Sequence, residues 1–146
     1  MQSKQITEGE FAGWHTWPNE PFEHDAAGPF YLREDENGKM VAAFRAERKH
    51  MNAVGVVHGG ALMTFADFAL FALAHSGDED GYGVTVAFTS EFLSGALEGE
   101  YLEARGEVMG GGRSITFVRG VITADGRPVL NFSGTIKKKH KPATTG

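Results

Sequence analysis

The sequence contains no cysteine, which removes disulfide frameworks, thiolate metal sites and cysteine nucleophiles together. Basic charge is also scarce: 14 Lys and Arg stand against 19 Asp and Glu, a formal charge of −5. No cationic stripe of the kind that binds a phosphate backbone is present, so nucleic acid is not an expected partner. Nor is there an unbroken apolar stretch of the ~20 residues a membrane crossing needs. The main apolar run, VVHGGALMTFADFALFALAH from Val56 to His75, is interrupted by two glycines and by Asp67. The first residues, MQSKQITEGEFAGWH, lack the apolar centre of a secretory signal and carry two glutamates, so a cytoplasmic location is expected. H-E-x-x-H and G-x-S-x-G do not occur, GGGRS has no P-loop lysine, and the six histidines show no metal-ligand spacing. No metal site is expected. Without repeats or an internal linker, residues 1–146 read as one domain.

What is present is a helix among strands. Residues 59–75 would span about 25 Å as a helix, with apolar side chains on every side, which predicts a core helix buried on most faces. Downstream, YLEARGEVM alternates Leu102, Ala104, Gly106 and Val108 with Tyr101, Glu103, Arg105 and Glu107, the period of a half-buried strand. RSITFVRGVIT is rich in β-branched residues, and PVLNFSGTI places Leu130, Phe132 and Ile136 on one face. Asn37-Gly38, Gly110 to Gly112 and Asp125-Gly126 supply hairpin turns. The order is β-β-α-β-β-β-β with no βαβ alternation, so the expected class is α+β: an antiparallel sheet curled round one long helix. The polar ends, to about residue 10 and after about 138, are expected to be loose.

Two features carry chemistry. A carboxylate in the middle of an apolar helix is costly unless it is paired, hydrogen-bonded or functional, so Asp67 either reaches an arginine or a gap in the sheet, or it acts. Gly59 and Gly60 open the helix, where free N–H groups at the positive end of the dipole suit an oxygen gaining negative charge. Close packing of the helix start would explain the two glycines equally. In GVTVAFTSEF, alternation puts Val84, Val86 and Phe88 on one face and Thr85, Ala87 and Thr89 on the other. Phe65 and Phe68 read as core, with room for a second duty beside Asp67. His50, His75 and His140 read as surface or helix-end residues.

Taken together, Asn52, Gly55, His58, Gly59, Gly60, Ala66 and Asp67 form N-x-x-G-x-x-H-G-G followed by A-D, and this spacing resembles the signature of the PaaI-type hotdog-fold thioesterases, over roughly residues 28–138. The resemblance implies hydrolysis of acyl-CoA, with medium-chain or aromatic acyl groups, by homodimers paired into homotetramers, with no cofactor beyond the coenzyme A of the substrate. It implies that Asp67 activates water or attacks directly, that the Gly59 amide holds the thioester oxygen, and that Gly60 belongs to the same substrate-binding start. Asn52 would polarise the carbonyl or position the nucleophile, and His58 would support both through hydrogen bonds. Thr85 stands where some of these enzymes carry a hydroxyl that orients the water, although a plain strand threonine fits the sequence as well. Arg113 and Ser114, with the KKKHK run from Lys137, could meet the nucleotide phosphates.

Gly59 and Asp67 lie eight residues apart on one helix, about 12 Å along its axis, whereas an oxyanion donor and a base must each come within ~3 Å of the reacting group. One chain cannot bring both to one carbonyl. A two-fold dimer that sets Asp67 of one subunit opposite Gly59 of the other can, and it creates two shared sites. Two other functions compete: a non-catalytic acyl-CoA-binding module, and a hydroxyacyl-thioester dehydratase, whose expected histidine–acid pair His58 and Asp67 are too far apart in one subunit to form.

Overall fold

The computed structural model describes residues 2–75 and 82–139. Eight strands form one sheet: β1 (Lys4–Gln5), β2 (His15–Thr16), β3 (Tyr31–Glu34), β4 (Met40–Arg45), β5 (Tyr82–Phe92), β6 (Tyr101–Gly111), β7 (Ile115–Ala124) and β8 (Arg127–Lys139). Their spatial order is β1-β2-β3-β4-β6-β7-β8-β5, and every neighbouring pair is antiparallel. One helix, α1 (Gly59–Leu73), runs along the concave side. This is the hotdog arrangement that the resemblance implied: β3, β4, α1 and β5 to β8 are the expected two strands, helix and four strands, and two short strands that the sequence reading did not foresee, β1 and β2, precede them.

Short turns hold the meander in register. Asp125 and Gly126 both take positive φ, 46° and 86°, which the tight β7–β8 hairpin requires and which aspartate and glycine accept at low cost. The sheet then wraps closely on the helix. A Cβ placed on Gly134 of β8 would lie 2.4 Å from Leu70 Cδ1, so a bare backbone at this point lets the strand reach the helix. Phe30, Phe44, Phe65 and Phe68 interlock beneath it with ring centroids 4.6 to 6.4 Å apart, and Leu62, Leu70, Leu102, Ile122, Leu130 and Phe132 complete the core. Each such side chain, fully buried, stabilises the fold by about 1.5–3 kcal/mol.

The N-terminal segment corrects the expectation of a loose end. Ile6 donates its N–H to Trp14 O at 2.8 Å and Gly13 donates to Ile6 O at 2.8 Å, closing a small hairpin onto β3. Phe11 and Trp14 bury against Val41 and Ala43, with Phe11 stacked on Tyr31 at 4.1 Å. Their irregular spacing hides this packing from any periodicity. It also explains β4, whose continuous MVAAFR run is covered on both faces, Ala42 and Phe44 towards the helix and Val41 and Ala43 towards the N-terminal segment.

Helix α1 is buried on most sides, as its composition predicts, but not on all. Leu62, Phe65, Ala66, Phe68, Ala69, Leu70 and Ala72 are buried, whereas Gly60, Met63, Thr64, Asp67 and Phe71, spaced by three and four residues, keep partial exposure along one stripe. Asp67 lies on the stripe that this chain's own sheet covers only in part.

Candidate active site

Asp67 is half-buried and has no arginine or lysine partner among the described residues. Its Oδ1 instead accepts a hydrogen bond of 2.6 Å from the Thr85 hydroxyl. The structure therefore brings Asp67 and Thr85 together, and the ion-paired alternative falls away. The bond depends on a β-bulge. Thr85 pairs with Ile136 and Ala87 with Thr135, leaving Val86 as an extra residue in β5. Thr85 and Phe88 consequently share the face turned to the helix, while Val84 and Val86 are exposed. Strict alternation had put Thr85 and Phe88 on opposite faces, and the bulge overturns that.

The helix start is built separately. His58 caps α1, its Nδ1 accepting the Gly60 N–H at 2.8 Å. Nδ1 is thus unprotonated and the proton of the neutral ring lies on Nε2. Gly60 has its N–H occupied, so it is no second donor, whereas the Gly59 N–H has no acceptor among the described residues. The Phe92 ring lies 3.2 Å from where a Gly59 Cβ would be, so a side chain at this position would crowd the ring. Asn52 uses its Oδ1 to accept the N–H groups of Val54 and Val56, both at 3.1 Å, which shapes the loop leading into the helix. Only its amide Nδ2 is left for a ligand.

Asp67 opens onto a cavity of about 230 Å³ lined by Trp17, Glu20, Glu23, Asp67, Phe71, Gly83, Val84 and Thr85. Asn52, His58, Gly59 and Gly60 are not among its walls, as the separation along the helix requires. Six lining residues escaped the sequence reading: Phe71, Gly83 and Val84, and Trp17, Glu20 and Glu23 from the N-terminal segment. Glu23 belongs to a short π-type helix, Pro21–Ala27, opened by a proline at its first position. Burial, then the charge of Glu20, then that of Asp67 push its carboxyl up to about 8. A cluster of acids in NEPFE was the available signal, but nothing in the sequence tied it to Asp67. Phe65 and Phe68, buried in the core, are not cavity walls; Phe71, one turn beyond Asp67, is.

Arg113 and Ser114 lie exposed at the tip of the β6–β7 hairpin, where Ser114 O accepts the Lys138 N–H at 2.7 Å. Ile115 pairs with Lys137, and Lys137 with Val84, so Arg113 and Lys137 to Lys139 share one end of the sheet with the cavity-lining start of β5. His140 and Lys141 lie outside the described residues. His50 corrects another expectation. It is buried, with Nδ1 accepting the Glu47 N–H at 2.9 Å within the β4–α1 connection and Nε2 2.7 Å from Ala27 O, which joins that connection to the N-terminal segment. Among the described residues no group of acids and histidines could hold a metal, and no helix is long and apolar enough to cross a membrane.

This arrangement has known counterparts. The family model of the thioesterase superfamily matches residues 54–130, from the loop before α1 into β8. A protein named putative esterase PA0474, from Pseudomonas aeruginosa, is 35% identical over 111 residues, which cover 75% of this chain and 83% of that protein. Human acyl-coenzyme A thioesterase 13 is 28% identical over 80 residues, 55% of this chain and 57% of that one. Among solved structures, a variant of the phenylacetic acid degradation protein PaaI from Thermus thermophilus superposes with a TM-score of 0.66 at 28% identity, covering 81% of this chain and 98% of that chain. With its wrapped helix, its glycine-opened N-terminus and its mid-helix aspartate, the chain belongs to the thioesterase superfamily, among the PaaI-like hotdog proteins.

Proposed function

We propose that the protein hydrolyses acyl-CoA thioesters, of medium-chain or aromatic acyl groups, in sites shared between two copies of the chain. The observation that carries this reading is the Asp67 carboxylate, held by Thr85 at 2.6 Å beside an open cavity, on the same helix whose first amide, Gly59, has no acceptor within the described chain. Water bound at Asp67 gives up a proton to the carboxylate as its oxygen attacks the thioester carbon. The Gly59 N–H of the other copy stabilises the negative oxygen at the positive end of its helix. The C–S bond then breaks, coenzyme A leaves as a thiolate, and the proton held by Asp67 is released with the products. Direct attack by Asp67, through an anhydride that water cleaves, would use the same groups.

Two features support the dimer. Strand β5 ends the sheet with one unpaired edge, eleven residues long, and its Val84 and Val86 are exposed at 43% and 54%. Such an edge is a template for another strand. The partly covered stripe of α1 offers the partner Met63, Asp67 and Phe71. Pairing of dimers into tetramers is a further expectation from the family, as is a cytoplasmic location. Arg113, Ser114 and the lysines ending β8 stand where they could hold the coenzyme A phosphates at the cavity end of the sheet.

A panel of acyl-CoAs with free thiol as the readout tests the proposal. Thiol should be released, and Asp67→Asn should lose about 100-fold or more of the turnover while keeping the wild-type fold. Undiminished turnover in Asp67→Asn would overturn the mechanism, and tight binding without turnover would make the protein an acyl-CoA-binding module.

A further inference from the structure

We propose that the N-terminal segment selects the substrate: Trp17, Glu20 and Glu23 read the far end of the acyl group, accepting an uncharged end that carries a hydrogen-bonding oxygen and rejecting one that ends in a carboxylate. This rests on the thioesterase reading above, because it assigns the cavity beside Asp67 to the acyl group.

The lining of that cavity has an uneven chemistry. Phe71 supplies an apolar wall, and three carboxyl groups, Glu20, Glu23 and Asp67, supply the polar one; no basic side chain is among the described residues that line it. An acyl group ending in a carboxylate would bring a further negative charge into a partly desolvated space already holding acids, which is disfavoured by repulsion and by lost hydration. A plain alkyl end would meet no repulsion, yet it would leave the polar groups without partners. The indole N–H of Trp17 makes the same point independently. Trp17 is only 3% exposed, it lines this cavity, and its Nε1 has no hydrogen-bond partner among the described residues. A buried donor without an acceptor is rare in folded proteins, and a small shift of the indole towards the cavity it lines would let a ligand oxygen supply the missing acceptor. Glu23, whose carboxyl holds its proton to about pH 8, adds an O–H donor and a carbonyl acceptor, the pair of functions that a hydroxyl group complements. Neither residue falls within residues 54–130, the part matched by the family model.

Three substrates of one chain length separate the possibilities: hexanoyl-CoA, 6-hydroxyhexanoyl-CoA and adipyl-CoA. For the wild type, kcat/KM should fall in the order 6-hydroxyhexanoyl, hexanoyl, adipyl, with adipyl at least about tenfold below hexanoyl. Glu23→Lys should raise the adipyl-to-hexanoyl ratio by about tenfold or more by supplying a counter-charge. Trp17→Phe should remove the preference for the hydroxylated chain. Binding of the three non-hydrolysable thioether analogues, measured by calorimetry, gives the same ranking independently of turnover. That ranking without thiol release would sink the hydrolase reading and leave the selectivity standing. Equal use of adipyl-CoA and hexanoyl-CoA by the wild type, a ratio unmoved by Glu23→Lys, or no binding of any analogue would overturn the proposal.

Discussion

A carboxylate on an otherwise apolar helix is tolerated here because a strand hydroxyl meets it. The Thr85 bond to Asp67 fixes the direction of the carboxylate without neutralising it, which is what a group accepting a proton from water needs. Thr85→Val keeps the size of the side chain and removes the donor, so kcat should fall by about tenfold, the worth of one hydrogen bond of 1–1.5 kcal/mol, with KM nearly unchanged. Steady-state thiol release measures both. Glu23 yields a second expectation. Its carboxyl is pushed up to about 8 in the folded chain, against 4.5 for a free glutamate. Between those values the folded state holds the extra proton, so stability falls as pH rises through this window, and the loss is complete above about pH 8. Glu23→Gln has no proton to lose. Its melting temperature should match the wild type near pH 4.5 and exceed it increasingly up to pH 8, by about 2–4 °C for each kcal/mol recovered. Thermal melts across that range check this, and parallel curves for the two proteins would contradict it.

Among the elements, α1 and the four strands after it were legible in the sequence because each has a strong local signature: an all-round apolar helix, alternating strands, and Asp-Gly or Gly-rich turns. The bulge in β5 was not legible, since one extra residue leaves no mark on composition yet moves Thr85 and Phe88 to the same face. The N-terminal hairpin and the short helix at Pro21–Ala27 were missed for a related reason. Their buried residues, Phe11, Trp14 and Trp17, are placed by contacts with distant strands and follow no period. Trp17, Glu20 and Glu23, three of the eight residues that line the cavity, were missed with them. The approach of β8 to α1 gives a test at this scale. Gly134→Ala pushes a methyl group into Leu70 and should destabilise the protein by about 1–3 kcal/mol. Adding Leu70→Ala should cost less in that background than in the wild type, because the cavity it opens relieves the clash; denaturant melts of the four proteins give the coupling.

At the scale of the whole molecule, one chain carries the two halves of the proposed chemistry at the start and in the middle of one helix. Asp67 has the cavity and Thr85, whereas Gly59 has the free amide, and the stripe of α1 joining them is the face that the sheet covers only in part. The sequence alone reveals this separation, because a helix rises about 1.5 Å per residue whatever surrounds it. How the two copies meet depends on the edge of β5 and the exposed side chains of α1, which no local pattern encodes. The most direct test mixes two defective proteins. Asp67→Asn lacks the base. Gly59→Pro lacks the oxyanion donor at the first helical position, where proline is favoured and where the extended His58 before it is compatible. Each alone should release little thiol. Unfolded and refolded together at equal amounts, half the dimers should be mixed and each of those should hold one intact site, returning about a quarter of wild-type activity. A mixture no more active than its components would contradict the shared site.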